Sequence, residues 1–331
     1  MIIMKRRRYS LLSVLVLVVV VAAAAIVYFA YNPSTKTKNI TINPKIHSST
    51  VKKTNQTASN QHIQHIFLIV DENKPSSTIV GNTAAPYLNK LINQYAYATN
   101  YSGVTHPSLP NYLALTSGST DGITTDCNPP SAGCEVNVKN IADEIQNSGR
   151  TWKAYAESMP SSCYSLNYGN NFATKHVPFL YYKDIIGNSS RCDSHVVPFT
   201  QMATDLQSVS TTPNYAFITP NLCNDMHNCP VSTGDSWLST TVPEILNSKA
   251  FTTQKSLLII TWDEGYVGDN VVPAIFVGNT AKQGYKASAA YNHYSVLHTI
   301  EYLWNLKPLT SNDQQAPLMT SMLNNPSVLK Y

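Results

Sequence analysis

The sequence is poor in arginine, and its first 61 residues contain no acidic side chain. Nine of the 23 lysines and arginines lie before residue 62, so the rest of the chain, with all 19 acids, is net acidic. The only arginines in that larger part are Arg150 and Arg191. Proteins that bind nucleic acids through phosphate contacts carry a clustered basic surface. We therefore expect no nucleic-acid partner.

Two common motifs are also absent. The chain has no G-x-S-x-G segment, which argues against the nucleophile elbow of α/β-hydrolases. No two of its six cysteines are separated by two residues, which argues against structural zinc. An even cysteine count in an exported chain indicates disulfide bonds. Two pairs are close in sequence, and we predict the bonds Cys127–Cys134, Cys163–Cys192 and Cys223–Cys229.

The amino terminus predicts export. The basic residues Lys5–Arg8 precede an apolar run, Leu11–Tyr31, which is long enough to cross a bilayer as a helix. Cations before the span place the rest of the chain outside the cytoplasm. Ala22–Ala25 offers cleavage sites, whereas the continued run to Tyr31 favours an uncleaved anchor. We interpret residues 1–31 as a signal anchor or signal peptide, and expect an extracytoplasmic protein, anchored by residues 11–31 or secreted after cleavage.

Residues 32–61 are rich in Ser, Thr, Asn, Gln and Lys, a composition that predicts a disordered hydrophilic stalk. We place the folded domain at residues 62–331. Four short apolar runs predict strands: His65–Val70, Asn214–Thr219, Ser256–Thr261 and Val272–Val277. Between them lie candidate helices: Ala85–Gln94, Leu109–Thr116, Asn140–Asn147, Thr241–Asn247 and His293–Trp304. This alternation predicts an α/β fold, a doubly wound, mostly parallel sheet with helices on both faces.

Polar residues follow three of the predicted strands. They are Asp71-Glu72-Asn73 after the first, Asp225 and His227 after the second, and Asp263-Glu264 after the third. Each of these acids alone could be a turn or cap residue. In open parallel sheets, however, ligands bind outside the carboxyl ends of the strands. We therefore expect these groups to meet at one edge of the sheet.

Ser108 stands where a helix should begin, with Pro110 in the first turn. One interpretation is an N-cap, for which serine is well suited. The other is a nucleophile, because the helix N-terminus favours an anion beside it. No histidine lies at a hydrolase-elbow spacing, so a bound metal is the alternative activator.

An ordered set of motifs resembles a known family. The principal matches are Glu72-Asn73, Ser108-Leu-Pro-Asn111, Asp263-Glu264-Gly265 and Asn292-His293-Tyr294-Ser295. Further matches are Thr151–Met159, Lys175-His176-x-Pro178-Phe179, Asn224-Asp225-Met-His227 and Gly234-Asp235-x-Trp237. Over roughly residues 62–323 the chain resembles the phosphoesterase family of acid phosphatases and bacterial phospholipases C, which has an alkaline-phosphatase-like fold. One departure is Lys74-Pro75-Ser76, where many members have an aromatic residue followed by Asp.

The resemblance implies roles for individual residues. Ser108 would be the nucleophile that forms a phosphoseryl intermediate, with His227 and His293 as catalytic partners near the phosphoryl group. His293 could instead cap its helix. The implied ligands of a divalent metal are Glu72, Asn73, Ser108, Asp263 and Glu264, with Asp71 as a competitor of Glu72. The implied substrate-binding residues are Asn111, Asp225, His176 and His106.

The resemblance also implies a cofactor. Members usually bind one divalent ion, whose identity the ligand types leave open. Other proteins of this fold often hold two, and a second ion would use Asp225, His227 and His293. With one ion, cationic His227 and His293 would neutralise phosphate charge, and we then expect an acid pH optimum.

These inferences predict an exported, metal-dependent acid phosphatase acting on small phosphorylated substrates, with membrane contact only through the N-terminal segment. A phosphodiesterase of the phospholipase C kind is the closest alternative, because it would use the same serine and metal. A catalytically inactive surface protein kept for binding is a third. The chain ends soon after its last predicted core helix, which favours the monoesterase.

Overall fold

A computed structural model of the protein describes residues 61–131 and 133–331. The predicted membrane segment at 1–31 lies outside these residues, as does the predicted stalk up to residue 60. Within the described part of the chain, no helix combines the length and apolar character needed to cross a membrane.

The fold is built on an eight-stranded sheet in the order β5-β4-β6-β1-β7-β8-β2-β9, beside a two-stranded sheet of β3 and β10. The strands are β1 His65–Asp71, β2 Ala96–Ala98, β3 Tyr101–Ser102, β4 Trp152–Ala156, β5 Val196–Pro198, β6 Tyr215–Thr219, β7 Ser256–Trp262, β8 Ala274–Val277, β9 Lys286–Ala287 and β10 Tyr291–Asn292. β1 is central, paired in parallel with β6 on one side and β7 on the other.

The helices are α1 Ser76–Ile79, α2 Pro86–Gln94, α3 Ser108–Ser117, α4 Ile141–Asn147, α5 Lys183–Ile186, α6 Ser189–His195, α7 Met202–Asp205, α8 Val231–Leu246, α9 Lys249–Thr253, α10 His293–Trp304, α11 Ser311–Gln315 and α12 Pro326–Leu329. A short 3₁₀ turn at Thr174–His176 also contributes to the site described below.

The predicted α/β architecture is confirmed, and the sheet is mixed but mostly parallel. Every residue of β1 and β7 is buried, as expected for central strands covered on both faces. β8 runs antiparallel to its neighbours β7 and β2. Only residues 263–273 separate β7 from β8, which is too short for the crossover that a parallel neighbour needs.

Helix α8 differs most from its prediction. We expected it at Thr241–Asn247, but it begins ten residues earlier, at Val231, and contains Pro243. Its first turns are polar, so apolar periodicity did not reveal them. Asp235, in these polar turns, holds them against α2. Its carboxylate accepts hydrogen bonds from the amides of Tyr87 and Leu88 at 3.1 and 2.7 Å and so caps the N-terminus of α2.

All three predicted disulfide bonds are present: Cys127–Cys134, Cys163–Cys192 and Cys223–Cys229. The first closes a loop that lies against the 3₁₀ turn, where Asn128 accepts from the Thr174 hydroxyl at 2.9 Å. The third closes the loop after β6. Two of the three therefore brace loops at the carboxyl edge of the sheet.

Candidate active site

The polar residues after three strands do meet at one edge. β6, β1 and β7 are neighbours in the sheet, and their carboxyl ends lead into Asp225, Glu72 and Asp263 respectively. Backbone bonds join these connections, since the Glu72 amide donates to the Asp225 carbonyl at 2.9 Å and the Asp263 amide to the Asp71 carbonyl at 3.0 Å. The side chains of all four of these acids, Asp71, Glu72, Asp225 and Asp263, are buried.

Glu72 and Asn73 can serve one site because the strand has ended before them. β1 stops at Asp71, and Asn73 takes a left-handed φ of 41°, which breaks the alternation of faces. The Asn73 amide then donates to Asp263 Oδ1 at 3.2 Å, and its side-chain Nδ2 donates to Glu264 Oε1 at 3.3 Å. Segments about 190 residues apart are thereby joined.

Ser108 is the first residue of α3, and its hydroxyl does not cap the helix. The hydroxyl donates to Glu72 Oε2 at 3.1 Å or Glu264 Oε1 at 3.3 Å, and it accepts from Lys175 Nζ at 3.2 Å. The N-cap interpretation is therefore wrong for this side chain. A serine oxygen with proton acceptors on one side and a cation on the other is arranged for nucleophilic attack.

His176 lies deeper in the same cluster, stacked on the ring of Tyr112 at 5.4 Å between centroids. Its Nε2 is 2.9 Å from Glu72 Oε1, and its Nδ1 is 3.4 Å from Asp225 Oδ2. Burial opposes a positive charge, but the carboxylates of Glu72 and Asp225 outweigh it and raise the pKa of His176 to about 9. Despite burial, His176 and Lys175 lower the pKa of Glu72 to about 2. The pair is thus ionised across the neutral range.

Lys175 is the residue that the site prediction missed. Its side chain is about 10% exposed, and its Nζ contacts both Ser108 Oγ and Asp126 Oδ2, the latter at 3.0 Å. Burial opposes its charge, yet Glu72 and Asp126 raise its pKa above the ordinary lysine value. The available signals were the Lys175-His176 match to the family and the shortage of arginine, which left lysine to balance the acids.

The acids outnumber these cations. Burial, and then the neighbouring carboxylates, raises the pKa of Asp71 and of Asp263 well above the usual range. Both carboxylate oxygens of Asp71, Oδ1 of Asn73 and Oδ2 of Asp263 are buried and accept no hydrogen bond from the residues that the structure describes. Unpaired buried carboxylates are costly, so this group suits a bound cation.

The donor set fits a divalent metal. Glu72, Asn73, Asp263 and Glu264 offer hard oxygen ligands around the Ser108 hydroxyl. In residues 61–131 and 133–331, no group of three or more histidine, cysteine, aspartate or glutamate side chains has the arrangement of a metal site. The fit thus rests on the chemistry of the oxygens and on those that lack partners.

The two histidines expected to be cationic differ. His293 is fully buried, and burial lowers its pKa to about 4. Its Nε2 donates to the Asp263 carbonyl, and its Nδ1 lies 2.7 Å from the Tyr101 hydroxyl. Burial therefore disfavours a positive charge on His293. Because both ring nitrogens have protein partners, His293 is also poorly placed to share an ion with Asp225 and His227.

His227, by contrast, is exposed at the rim. Its ring lies 6.2 Å from that of His176, and its amide donates to Asp225 Oδ1 at 2.7 Å. Its Nδ1 contacts the Asn228 side chain. His227 therefore lies at the solvent-facing side of the cluster.

Glu157 holds the loop that carries Asp225 and His227. It accepts from the Asn221 amide, from Asn224 Nδ2 and from the Trp237 indole at 2.9 to 3.1 Å. Gly234 permits the close approach of α8 to this loop, because a Cβ there would lie 2.6 Å from the Asn224 carbonyl. Glu157, Asn224 and Trp237, which match the family motifs, thus have a structural role in holding this loop.

The remaining predicted residues are His106, on the loop before α3, and Asn111, in the first turns of α3. His106 Nδ1 contacts Glu264 Oε2, so this half-buried ring does reach the cluster. Asn111 is buried, its Oδ1 accepting from the amides of Val104 and Thr105 and its Nδ2 donating to the Thr105 and Pro107 carbonyls. All of its polar capacity is used in holding this loop, and a substrate contact would have to replace one of these bonds.

Sequence comparison decides the family. A model of the phosphoesterase family matches residues 80–307, well over half of the chain. The chain belongs to the phosphoesterase family. The resemblance drawn from the motifs is thereby confirmed, and the protein is a phosphoric ester hydrolase.

Curated phosphoesterase relatives include bacterial and fungal enzymes. A phosphatidylinositol-3-phosphatase of Mycobacterium tuberculosis is 32% identical over 259 residues, covering 78% of this chain and 82% of the relative. An acid phosphatase of Aspergillus fumigatus is 30% identical over 253 residues, covering 73% and 55%. A probable acid phosphatase of Kluyveromyces lactis is 29% identical over 275 residues, covering 79% and 63%. The match thus spans less than two thirds of these two fungal relatives.

Solved structures establish the fold of this phosphoesterase. A protein of the alkaline phosphatase superfamily from Vibrio parahaemolyticus superposes with a TM-score of 0.54 at 12% identity, covering 72% of this chain and 66% of that one. A putative sulfatase from Bacteroides thetaiotaomicron gives a TM-score of 0.55 at 10% identity, covering 78% and 74%. At such identities the likeness concerns the fold alone, and it confirms the predicted alkaline-phosphatase-like architecture.

Proposed function

We propose that this phosphoesterase is an exported, metal-dependent acid phosphatase that hydrolyses phosphate monoesters through a phosphoseryl intermediate on Ser108. The observation that carries the proposal is the setting of the Ser108 hydroxyl, buried at the start of α3 between the carboxylates of Glu72 and Glu264 and the ammonium of Lys175. The relatives named acid phosphatase support the monoester and acid parts of the proposal. The three disulfide bonds support export.

The metal would be held by Glu72, Asn73, Asp263 and Glu264. When bound, it would supply positive charge to the serine oxygen and to the phosphoryl oxygens. The proposal uses one ion, because His293 has protein partners at both ring nitrogens.

The chain's own groups then divide the work. As the bond from Oγ to phosphorus forms, the Ser108 proton passes to Glu72 or Glu264, which already accept it in a hydrogen bond. As the ester oxygen leaves phosphorus, it takes a proton from the exposed rim, where His227 lies. Water then hydrolyses the phosphoserine and releases phosphate. The ionised His176 holds Glu72 in place from behind.

The decisive experiment uses Ser108→Ala in the full-length chain. We expect kcat to fall on the order of a thousandfold or more, with folding intact because this hydroxyl does not cap α3. Ser117→Ala is the matched control, since Ser117 is a buried serine at the other end of the same helix. Acid quenching with labelled substrate should leave phosphate on the wild type and on Ser117→Ala only. Near-normal turnover by Ser108→Ala would refute the mechanism.

A substrate panel separates monoesterase from diesterase activity. We expect hydrolysis of nitrophenyl phosphate and little of nitrophenyl phosphorylcholine. A phosphoinositide monoester belongs in the panel because the Mycobacterium tuberculosis relative is named for that substrate. The reverse preference for the diester would favour the phospholipase C-like alternative. Absence of turnover on every ester with divalent ions present would favour the inactive binding protein.

A further inference from the structure

The two arginines of the described chain are committed away from the site. Arg191 pairs with Asp143 at 2.8 Å and with Asp184. Arg150 lies over the rings of Trp304 and Tyr331, 5.3 and 4.5 Å from their centroids. Neither is available to meet the charge of a phosphoryl group.

The start of α3 also offers less to an anion than a helix N-terminus usually does. The Leu109 amide already donates to Asp126 Oδ1 at 3.2 Å. Pro110 has no N–H. Two of the first three positions of the helix therefore present no free amide, and positive charge beside Ser108 has to come from side chains as well as the metal.

Lys175 is built into the place where that charge is needed. Its ammonium has three protons, and among the described residues it donates to Ser108 Oγ and to Asp126 Oδ2. One donor is therefore left for an oxygen of a group bound to Ser108. The 3₁₀ turn that carries Lys175 is fixed by Asn128, in the loop closed by the Cys127–Cys134 bond.

A second lysine, which is partly buried, shows what a purely structural ion pair looks like here. Lys153 on β4 donates to Asp205 Oδ2 at 2.7 Å, and the same oxygen accepts from the Tyr155 hydroxyl. Asp205 is buried, whereas the Asp126 side chain is about one third exposed. Lys153 touches no residue of the site, so it provides a matched control.

We propose that Lys175 is a catalytic residue: its ammonium contacts the nucleophilic oxygen of Ser108 and binds a non-bridging oxygen of the phosphoryl group during transfer. The proposal rests on the proposed function, because it takes Ser108 as the nucleophile. Lys175 keeps its proton throughout. The serine proton goes to Glu72 or Glu264 and the leaving alcohol takes its proton from the rim, so the lysine supplies charge and position only.

The test compares Lys175→Gln, Lys175→Arg and Lys153→Gln in the full-length chain loaded with divalent metal. Loss of one such donor typically lowers kcat by about 100-fold or more, and we expect that for Lys175→Gln. The fall should be equal for nitrophenyl phosphate and for an alkyl phosphate, since Lys175 acts on the phosphoryl group. Inhibition by vanadate, which mimics the five-coordinate phosphorus, should weaken in parallel. Lys175→Arg should recover part of kcat, and Lys153→Gln should keep all of it.

The outcomes separate the ideas. A lower Tm for Lys175→Gln with unchanged kcat and vanadate affinity would make Lys175 structural and overturn the proposal. If Lys175→Gln fails to fold, Asp126→Asn is used instead, because it removes the carboxylate partner of Lys175 but leaves the lysine in place. Unchanged kcat and vanadate affinity in that variant would again overturn the proposal. Ser108→Ala, assayed in parallel, isolates the underlying mechanism. Normal activity of Ser108→Ala would refute the proposed function. Normal activity of Lys175→Gln, with Ser108→Ala inactive, would refute only the catalytic role of Lys175.

Discussion

Two groups of buried acids in this protein are stabilised in different ways. Glu301 on α10 faces Asp313 on α11, and both side chains are fully buried. Asp313 accepts from the amides of Leu309 and Thr310 at 2.7 and 2.8 Å, and Glu301 also accepts from the Leu309 amide, at 3.2 Å. Burial, followed by the charge of Asp313, raises the pKa of Glu301 to about 9. One retained proton therefore removes the repulsion in this pair.

The acids at the sheet edge differ in number and in partners. Asp71, Glu72, Asp225, Asp263 and Glu264 are all buried, against the two cations Lys175 and His176. Oxygens of Asp71, Asn73 and Asp263 lack partners among the described residues. A single proton does not balance this group, whereas a divalent cation with oxygen ligands does. Glu301 Oε2 also lacks a partner among the described residues. The comparison therefore teaches that several unsatisfied acceptors gathered in one place, rather than a single one or buried acids as such, mark the functional cluster.

The strongest challenge to this comparison is Asp263→Asn. It removes a proposed ligand charge, so metal content should fall from about one ion per chain and kcat should fall by at least about 100-fold, beyond the usual effect of changing an outer-shell partner. Glu301→Gln is the control and should keep both. Metal content is measured by elemental analysis of dialysed protein. Equal metal in Asp263→Asn and wild type would place the ion elsewhere.

His227→Asn tests whether the edge cluster draws its protons from the rim. His227 is exposed and lies beside the ionised His176, so it can protonate the leaving oxygen. We expect kcat for an alkyl phosphate to fall by about 10- to 100-fold. Nitrophenyl phosphate, with its better leaving group, should lose less. Equal loss on both substrates would assign His227 to binding instead.

Glu301→Gln tests the other buried pair, Glu301 and Asp313, and should have the smallest effect on activity of these substitutions. The unfolded carboxyl ionises near pH 4.3, whereas native Glu301 keeps its proton to about pH 9. A raised native pKa contributes stability that is fully present below pH 4.3 and is lost as pH rises toward 9.

The neutral variant should therefore be more stable than the wild type at pH 8, with a higher Tm. The difference should shrink toward zero at pH 5, and kcat should not change. Thermal melts at both pH values measure this. A variant that is less stable at pH 8 would show that Glu301 is ionised in the native state.

The strands could be predicted wherever burial on both faces left an uninterrupted apolar run, as in β1, β6 and β7. β4 and β5 lie toward the outer end of the sheet, are short, and contain polar residues or proline, such as Lys153 and Pro198. β4 pairs with β6, and β5 pairs with β4. These pairings depend on neighbours that periodicity does not reveal. The early start of α8 escaped for a similar reason, because its polar first turns are held by a cap on α2.

The sheet type and the disulfide pairs could be predicted from the sequence alone. So could the convergence of Glu72, Asn73, Asp263 and Glu264, because residues directly after neighbouring strands lie at the same edge of the sheet. The family resemblance implied His176 as a substrate-binding residue, but only the tertiary structure decided that it pairs with Glu72 and Asp225 and that Lys175 completes the cluster. Lys175 and His176 sit on a three-residue turn 67 and 104 residues from Ser108 and Glu72, with no strand to carry them to the edge. The charge of His293 was decided in the same way, because it depends on burial against Asp263 and Tyr101, which no local pattern encodes.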